Sequence, residues 1–452
     1  EDTVLRLVFR GLVALSIGAL GFDLASANGW GATGAGENVA LALALNGDQV
    51  ALRAQLPVKL AETEDVFVSD VRSGGSTLSS GIFGAGFSLR LARAEARAAG
   101  GELVREEGAL ILVLPLFTAI AHANLLDPPH PSQVARYADG FGQRSLLTVD
   151  TEEEFDWNAP FRADGYGLDH VRAITGFQEF CEGLGVSPVY MVDWPIATDP
   201  LAREIIGDAV RAKKAEVGVQ LHPWVNPPHE EEVTTRNSFA GNLPVELERD
   251  KFRRLRDAIE EGFGTVPRIY RAGRYGLGPQ TAKVLSETGV AIDSSVRARY
   301  DYSDAHGPDY SRHPVVPYWT DAERTLLELP LTSVFWGMLR KQGQQIFPLA
   351  RKLPLLGGAL AKLGLLERIG LTPEGVTKEE ALRAVDIAID DGLPVLVLSF
   401  HSPSLAPGHT PYVRTEEDLD VLYDWLRGVY GYLDMRGVRP TTVAEIMAAV
   451  DA

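Results

Sequence analysis

The composition is that of an ordinary folded protein. The chain has 452 residues, of which 45% are hydrophobic and 23% charged. This is enough for about two or three domains and gives no sign of disorder. The formal net charge of −18 argues against nucleic-acid binding, because phosphate binding needs clustered positive charge. The single cysteine, Cys181, excludes an intrachain disulfide and a cysteine-rich zinc site, and we expect it to fill the core.

The N-terminal segment allows two interpretations. An apolar run, Gly11–Phe22, follows Arg6 and Arg10 and precedes Ala25–Ala27, which has the small-x-small form of a signal-peptide cleavage site. The alternative is a buried or amphipathic first helix, because apolar residues recur there at helical spacing. These residues are Val4, Leu5, Val8, Leu12 and Leu15. The run is too short to span a bilayer, and since the chain begins without Met we expect its natural N-terminus upstream. We expect a cytoplasmic protein, with a periplasmic or exported one as the alternative.

Residues 1–117 are predicted to form an α+β unit. Val39–Leu45 and Gln49–Leu56 flank an Asn-Gly-Asp turn and are predicted to pair as a hairpin. A helix is predicted to open at Gly84–Leu91 and to run to the glycine pair at 100–101. Strands are predicted to follow around Glu102–Val104 and Leu110–Pro115.

The end of this unit resembles the C-terminal part of histidine-kinase ATP-binding domains, in which glycines such as Gly84 and Gly86 open the helix behind the nucleotide phosphates. Active members carry an Asn on the first helix and an Asp-x-Gly-x-Gly loop, whereas this chain has Leu12–Ser16 and Val58–Glu62 at those places. The resemblance implies a degenerate α+β sandwich of the histidine-kinase ATPase type that does not hydrolyse ATP, with an active ATPase as the alternative, and ATP is not expected as a cofactor. It would serve docking, homo-oligomerisation or contact with a signalling partner. The alternative is a true nucleotide sensor that controls the rest of the chain.

A proline-rich stretch separates this unit from a longer pattern of alternating strands and helices. Residues 118–143 include Asp127–Pro131 and lack apolar periodicity, which predicts a stiff linker. Residues 144–452 then alternate apolar strand candidates with helical stretches, as in a parallel sheet or barrel. The predicted strands are Ser145–Val149, Val186–Val192, Glu216–Leu221, Arg268–Tyr270, Ala291–Asp293, Leu326–Leu329 and Leu393–Phe400.

Polar clusters follow several of these strands. Asp150–Glu154 places four carboxylates directly after the first strand, where their repulsion has to be relieved by a cation or by solvent. His222 and His401 each stand at the end of a further strand. Because loops after parallel strands converge on one face, these groups are expected to meet. Carboxylate and imidazole together favour a site for zinc or another divalent ion.

In this order and spacing the residues resemble the motifs of polysaccharide deacetylases, the NodB-like domains of carbohydrate esterase family 4. The resemblance implies a distorted (β/α) barrel over residues 144–452, with Asp150 as catalytic base and Glu152 and His222 as metal ligands. The family's second metal-binding histidine is replaced by Asn226. Three alternatives follow: Asn226 binds the metal through its oxygen, His229 takes its place, or the site is impaired.

The remaining motifs complete the predicted machinery. The resemblance implies that Arg271 orients the base, that His401 protonates the leaving amine, and that Asp293 holds and tunes His401. The expected activity is that of a metal-dependent hydrolase of non-peptide carbon–nitrogen bonds that removes acetyl groups, N-acetyl before O-acetyl, from a glycan. The alternative is an inactive regulatory or scaffold protein in which both domains only bind.

Aromatic and basic residues suggest contacts beyond the reacting groups. Trp157, Trp224 and Tyr275 are candidate sugar-stacking faces, although aromatic residues more often belong to the core. Residues 335–375 combine several Arg and Lys with many apolar residues in an acidic chain. That segment is expected to be a helical subdomain packed on the barrel, with contact to a membrane surface as the alternative.

Overall fold

The computed structural model divides into two compact units, Glu1–Ile120 and Ala121–Ala452. It describes residues 41–46, 49–56, 72–73, 76–77, 93, 96–97, 101–115, 124–157, 159–351 and 356–450. The predicted first helix, most of the predicted helix between 84 and 101, and both Gly84 and Gly86 lie outside the described residues. The histidine-kinase-like assignment of residues 1–117 therefore stays a prediction.

The described part of the first unit is an antiparallel sheet. Its strands in chain order are β1 (Leu41–Asn46), β2 (Gln49–Gln55), β3 (Arg72–Ser73), β4 (Ser76–Thr77), β5 (Glu102–Glu106) and β6 (Ala109–Pro115). Four of them form the order β1-β2-β6-β5, while β3 pairs with β4. Asn46 pairs with Gln49 at the turn between β1 and β2, so the predicted hairpin is confirmed, as are the two later strands.

The second unit is built on a mainly parallel sheet. Its strands are β7 (Arg144–Thr151), β8 (Val189–Val192), β9 (Glu216–Leu221), β10 (Ile269–Ala272), β11 (Ile292–Asp293), β12 (Tyr318–Trp319), β13 (Leu327–Glu328), β14 (Ser333–Trp336), β15 (Glu367–Gly370), β16 (Val395–His401) and β17 (Arg439–Pro440). The order is β12-β13-β11-β10-β9-β8-β7-β16, and β17 pairs with the start of β7. All pairs of this sheet are parallel except β12 with β13, and β14 and β15 form a separate two-stranded sheet. The predicted strands and their parallel arrangement are confirmed.

The sheet curls until the segment after β13 reaches β16. The Thr332 N–H donates to Val397 O at 3.3 Å, and the Val397 N–H donates to Thr332 Oγ1 at 2.9 Å. Further along, the Ser399 N–H donates to Leu371 O at 3.2 Å. Single residues thus bridge the gap where a regular barrel would have a strand, so the α/β unit is a distorted barrel.

Helices follow most of the strands. They are α1 (Ala173–Gly183), α2 (Trp194–Thr198), α3 (Pro200–Arg211), α4 (Val245–Phe263), α5 (Thr281–Ser286), α6 (Gly343–Arg351), α7 (Leu356–Lys362), α8 (Lys378–Asp390), α9 (Glu416–Met435) and α10 (Val443–Ala449). Several begin at a side chain that accepts a backbone N–H, as Asp193 does for α2 and Thr377 for α8. Such caps satisfy donors that the first helical turn leaves free.

The core lies on both faces of the sheet, because alternate residues of a strand point to opposite sides. In β7, Leu147 and Val149 belong to the larger apolar cluster and Leu146 to the smaller one. Cys181 is buried in the larger cluster, which confirms its predicted role as core filler. Strand ends that carry polar groups are therefore held on a rigid scaffold.

Residues 124–143, which fall within the predicted linker, pack on the second unit. Leu125 is 1% exposed and belongs to its larger apolar cluster. Gln133 donates from Nε2 to Trp319 O at 2.9 Å, which ties this segment to β12. The described part of the predicted linker is therefore fixed to the barrel.

The basic segment 335–375 begins in β14 and ends just after β15, which pair antiparallel, and α6 and α7 lie between these strands. This arrangement agrees with the expected helical subdomain. In the ranges that the structure describes, none of the helices combines the length and the apolar character that a bilayer crossing requires. Contact with a membrane surface stays a prediction.

Candidate active site

The carboxyl ends of β7, β9, β10 and β16 bring the predicted catalytic residues together. Asp150 and His401 are direct partners in the register of β7 and β16. Arg271 lies on β10, and His222 directly follows β9, which is the neighbour of β10. Parallel strands that end at one edge of a sheet explain how residues far apart in the chain form one site.

Arg271 is fully buried and anchors Asp150. It donates from Nη1 to Asp150 Oδ1 and from Nη2 to Thr148 Oγ1 at 2.9 Å. Its Nε donates to Ser294 O at 2.9 Å, and Nη1 lies 3.4 Å from Ser399 Oγ. The guanidinium is therefore both charge-paired and hydrogen-bonded, as a buried cation requires. The contact joins Arg271 to Asp150, and the roles that the resemblance implies for these two residues stay predictions.

His401 is held by a glutamate that the sequence did not reveal. Its Nδ1 lies 2.6 Å from Glu374 Oε2, and Nε2 lies 3.9 Å from Asp150 Oδ2. The Ser404 hydroxyl donates to the other oxygen of Glu374 at 2.6 Å. Burial lowers the pKa of His401, but the carboxylates of Glu374, Glu152 and Asp150 outweigh it and raise the pKa to about 10. The imidazole is thus protonated at neutral pH.

The expected role of Asp293 is wrong. Asp293 accepts from Ser295 Oγ at 2.5 Å and interacts with the buried carboxyl of Glu328, not with His401. Burial raises the pKa of Asp293 to about 6 and raises that of Glu328 well above its ordinary value. The physical reason for the different role is that Asp293 is paired in register with Glu328 of β13, while Glu374 occupies Nδ1 of His401.

His222 presents its two ring nitrogens to two different glutamates. Nδ1 lies 2.9 Å from Glu153 Oε2, and Nε2 lies 3.5 Å from Glu152 Oε2. Trp224 stacks on the imidazole with ring centroids 4.4 Å apart and donates from Nε1 to Glu153 Oε1 at 2.6 Å. Glu153 and Trp224 therefore fix the ring orientation and leave Nε2 facing Glu152.

This arrangement suits a divalent cation. Glu153, Asp193 and His222 bring potential ligand atoms within 4.8 Å of one another. Both Glu153 oxygens, however, are hydrogen-bonded, and Asp193 accepts from the N–H groups of Ile196 and Glu153, each at 2.9 Å. On the other side of the ring, Glu152 Oε2 has a single hydrogen bond, 3.3 Å from Gln220 Nε2. The better place for the ion is therefore between His222 Nε2 and Glu152.

Two buried groups bear on the choice of ligands. Burial raises the pKa of Glu152 to about 8, so its carboxylate lacks sufficient positive charge nearby. The side-chain oxygen of Asn226 is buried and has no hydrogen-bond partner, while its amide nitrogen donates to Lys251 O at 3.0 Å. This oxygen remains available as a ligand, whereas His229 lies exposed.

The predicted sugar-stacking residues divide into two groups. Trp157 lies edge-on to His401 with ring centroids 5.2 Å apart, and Tyr275 lines the cavity next to His401. Trp224 is only 3% exposed, so the prediction that it stacks on a sugar is wrong, because its ring faces are covered. Arg274 and Tyr275 have φ values of 56° and 62°, an uncommon left-handed pair for residues with a Cβ. Such strain is often found where a site fixes a side-chain direction.

A buried serine–histidine–glutamate chain supports the metal side of the site. His170 Nε2 lies 2.8 Å from Ser402 Oγ, and its Nδ1 lies 2.8 Å from Glu154 Oε1. Ser402 also accepts the N–H of Glu152 at 3.3 Å. Because Ser402 is fully buried, its hydroxyl cannot reach a substrate. These three hydrogen-bonded side chains therefore hold the backbone of Glu152 in position.

Comparison with known proteins was made on this basis. No protein-family model matches the chain, and no curated protein matches it. A putative polysaccharide deacetylase from Mycobacterium smegmatis is 17% identical over 70% of this chain and 98% of its own, with a TM-score of 0.35. A family 4 carbohydrate esterase from Streptomyces lividans, in complex with acetate, is 10% identical over 69% of this chain and 97% of its own, with a TM-score of 0.34. A 4-alpha-glucanotransferase from Thermococcus litoralis is 13% identical over 68% of this chain and 40% of its own, with a TM-score of 0.41. At such values these similarities establish neither a family nor an activity.

Gly273 provides a test of the metal position. A Cβ at this residue would lie 2.5 Å from His222 Cδ2, 2.6 Å from Leu221 O and 3.3 Å from His222 Nε2. Gly273→Ala should therefore displace the imidazole and weaken zinc binding by about 10–100-fold, measured by isothermal titration calorimetry. Gly176→Ala is the control, because a Cβ there meets nothing within 4 Å. A folded Gly273→Ala variant with unchanged zinc affinity would contradict this position.

Proposed function

We propose that the second unit is a metal-dependent hydrolase of the NodB type that removes an acetyl group from an N-acetylated carbohydrate. The observation that carries the proposal is the pairing of Asp150 with His401 beside the His222–Glu152 pair. A carboxylate base, an imidazolium acid and a place for a cation lie next to one another, and these are the groups that acyl transfer to water needs.

Asp150 is the base of the proposed reaction. It removes a proton from the attacking water, whose oxygen forms the new bond to the acyl carbon. Arg271 holds one Asp150 oxygen by a charged hydrogen bond, which leaves the other oxygen directed toward His401. The buried position of Asp150 keeps bulk water from competing for it.

Glu152, His222 through Nε2, and Asn226 through its side-chain oxygen are the residues that would hold the metal. When bound, a divalent cation polarises the acyl carbonyl and lowers the pKa of water. The donor set of one imidazole and oxygens is compatible with zinc and with other divalent ions. Glu153 keeps His222 Nδ1 occupied, which fixes the nitrogen that faces the cation.

His401 is the acid of the proposed reaction. Held in its protonated form by Glu374, it transfers the proton to the nitrogen of the breaking carbon–nitrogen bond. The products are acetate and an amine, and Asp150 and His401 exchange their protonation states. Trp157 flanks the imidazole and limits its movement.

Glu374 should set the alkaline limit of activity. The groups that face His401 are Glu374, Asp150, Glu152 and the edge of Trp157, and Glu374 is the strongest of the carboxylates that raise its pKa to about 10. Glu374→Gln should lower that pKa, so the falling alkaline limb of the kcat profile should move about 1–3 units toward lower pH. The exposed Glu379→Gln makes the same change of charge on α8 and should leave the limb in place. An unmoved limb in Glu374→Gln would exclude His401 as the acid that this limb reports.

Acetate release is the direct test of the proposed activity. Zinc-loaded protein should release acetate from an N-acetylglucosamine tetrasaccharide, and Asp150→Asn should reduce kcat by about 10²–10⁴-fold because the base is lost. Metal content and unfolding midpoint are measured on both proteins, so that loss of the ion or of the fold is recognised.

One observation favours a second candidate, a binding protein without activity. Asn226 stands where an imidazole ligand is expected, and amide oxygen binds metals less strongly. Full metal occupancy without acetate release from any acetylated glycan would support that candidate and overturn the hydrolase.

A further inference from the structure

A small cavity is lined in part by His401. Its volume is about 60 Å³, enough for several water molecules or a small polar group. Tyr275 and Arg297 form part of its lining, and Glu374, His401 and Tyr412 form another part. The cavity therefore joins the proposed acid to residues that the proposed reaction does not use.

Arg297 is the cation of this cavity, and it has no acidic partner. Its guanidinium lies 4.0 Å from the ring centroid of Tyr300 and 5.4 Å from that of Tyr275. Nη1 makes a long hydrogen bond of 3.4 Å to the Tyr302 hydroxyl. Among the residues that the structure describes, no carboxylate forms an ion pair with it. Aromatic faces support its charge, and the hydrogen bond to Tyr302 uses only one of the five N–H donors of the guanidinium.

The surroundings of Arg297 add positive charge. Arg368 lies over the same Tyr300 ring at 3.4 Å, and Arg299 is held nearby through Ser333 O at 2.9 Å. Arg271, the other arginine close to the site, is in contrast fully paired with Asp150.

The acidic lining of the cavity is already engaged. Glu374 binds His401 with one oxygen and Ser404 with the other. It does not neutralise Arg297, which keeps its charge for a group that enters the cavity. A planar guanidinium fork binds a carboxylate or another oxyanion through two parallel hydrogen bonds.

We propose that Arg297 binds an anionic substituent of the substrate, such as a carboxylate, next to the acetamide that is cleaved. The inference rests on the proposed deacetylase function and narrows its substrate to acidic, N-acetylated saccharides. A neutral saccharide would leave Arg297 without an acceptor in a partly enclosed site, which disfavours it relative to an acidic one.

Equilibrium binding tests this without requiring turnover. A hyaluronan tetrasaccharide, which alternates N-acetylglucosamine with glucuronate, and a chitin tetrasaccharide, which is neutral, are titrated into zinc-loaded protein. Wild type should bind the acidic ligand at least about tenfold more tightly. Arg297→Gln should remove most of that difference, and Arg297→Lys, which keeps the charge but not the fork, should fall between them.

Controls separate binding from folding and from general charge. Arg254→Gln removes one positive charge from the exposed surface of α4 and should keep the wild-type preference. Unfolding midpoints of all variants show whether loss of the aromatic contacts has damaged the fold. Inorganic phosphate and sulfate are titrated in parallel, and Arg297-dependent binding of either one alone would support the anion site but assign its ligand to a phosphate or sulfate ester.

Two binding results would contradict the role of Arg297 as an anion-binding residue. If Arg297→Gln changes the binding of acidic and neutral ligands alike, or if no anion depends on Arg297, the side chain is structural and the inference is overturned. If binding depends on Arg297 but no acetate is ever released, the anion site stands and the deacetylase function fails.

Discussion

The buried guanidinium of Arg271 is joined to groups from three separate parts of the sheet. Asp150 and Thr148 come from β7, Ser294 follows β11, and Ser399 lies on β16. Removing one member of a buried ion pair typically costs about 3–5 kcal/mol, because the other charge is left uncompensated. The strand ends of the site are thus held together by the same contact that orients Asp150, so the stability of the fold and the geometry of the site depend on one interaction.

Around Arg271 and Asp150, the site contains more carboxyl groups than cationic side chains. Burial raises the pKa of Glu152, Glu153 and Asp193 above their ordinary values, and it does the same for Asp293 and Glu328. Such groups are tolerated when protonated or when a cation is close. A divalent ion beside Glu152 would stabilise the ionised carboxylate as a ligand, so that Glu152 would release its proton when the ion binds.

The sequence alone was sufficient to find candidate site residues that stand at the end of a predicted strand. Asp150, His222 and His401 could be found because alternating apolar runs define the strands, and the same rule applied to β8 would have found Asp193. Glu374 and Arg297 could not be found, because they follow short strands at places set by long-range packing. The role assigned to Asp293 was wrong because its direct partner is Glu328 of β13, and the pairing of distant strands cannot be read from a local sequence pattern.

X-ray absorption at the zinc edge tests the position of the metal most directly. We predict that one zinc binds with a shell of oxygens and a single imidazole, and that His222→Ala removes the imidazole signal. His229→Ala, which changes an exposed histidine, should leave the signal unchanged. Absence of bound zinc in the wild type, or an imidazole signal that survives His222→Ala, would contradict the account.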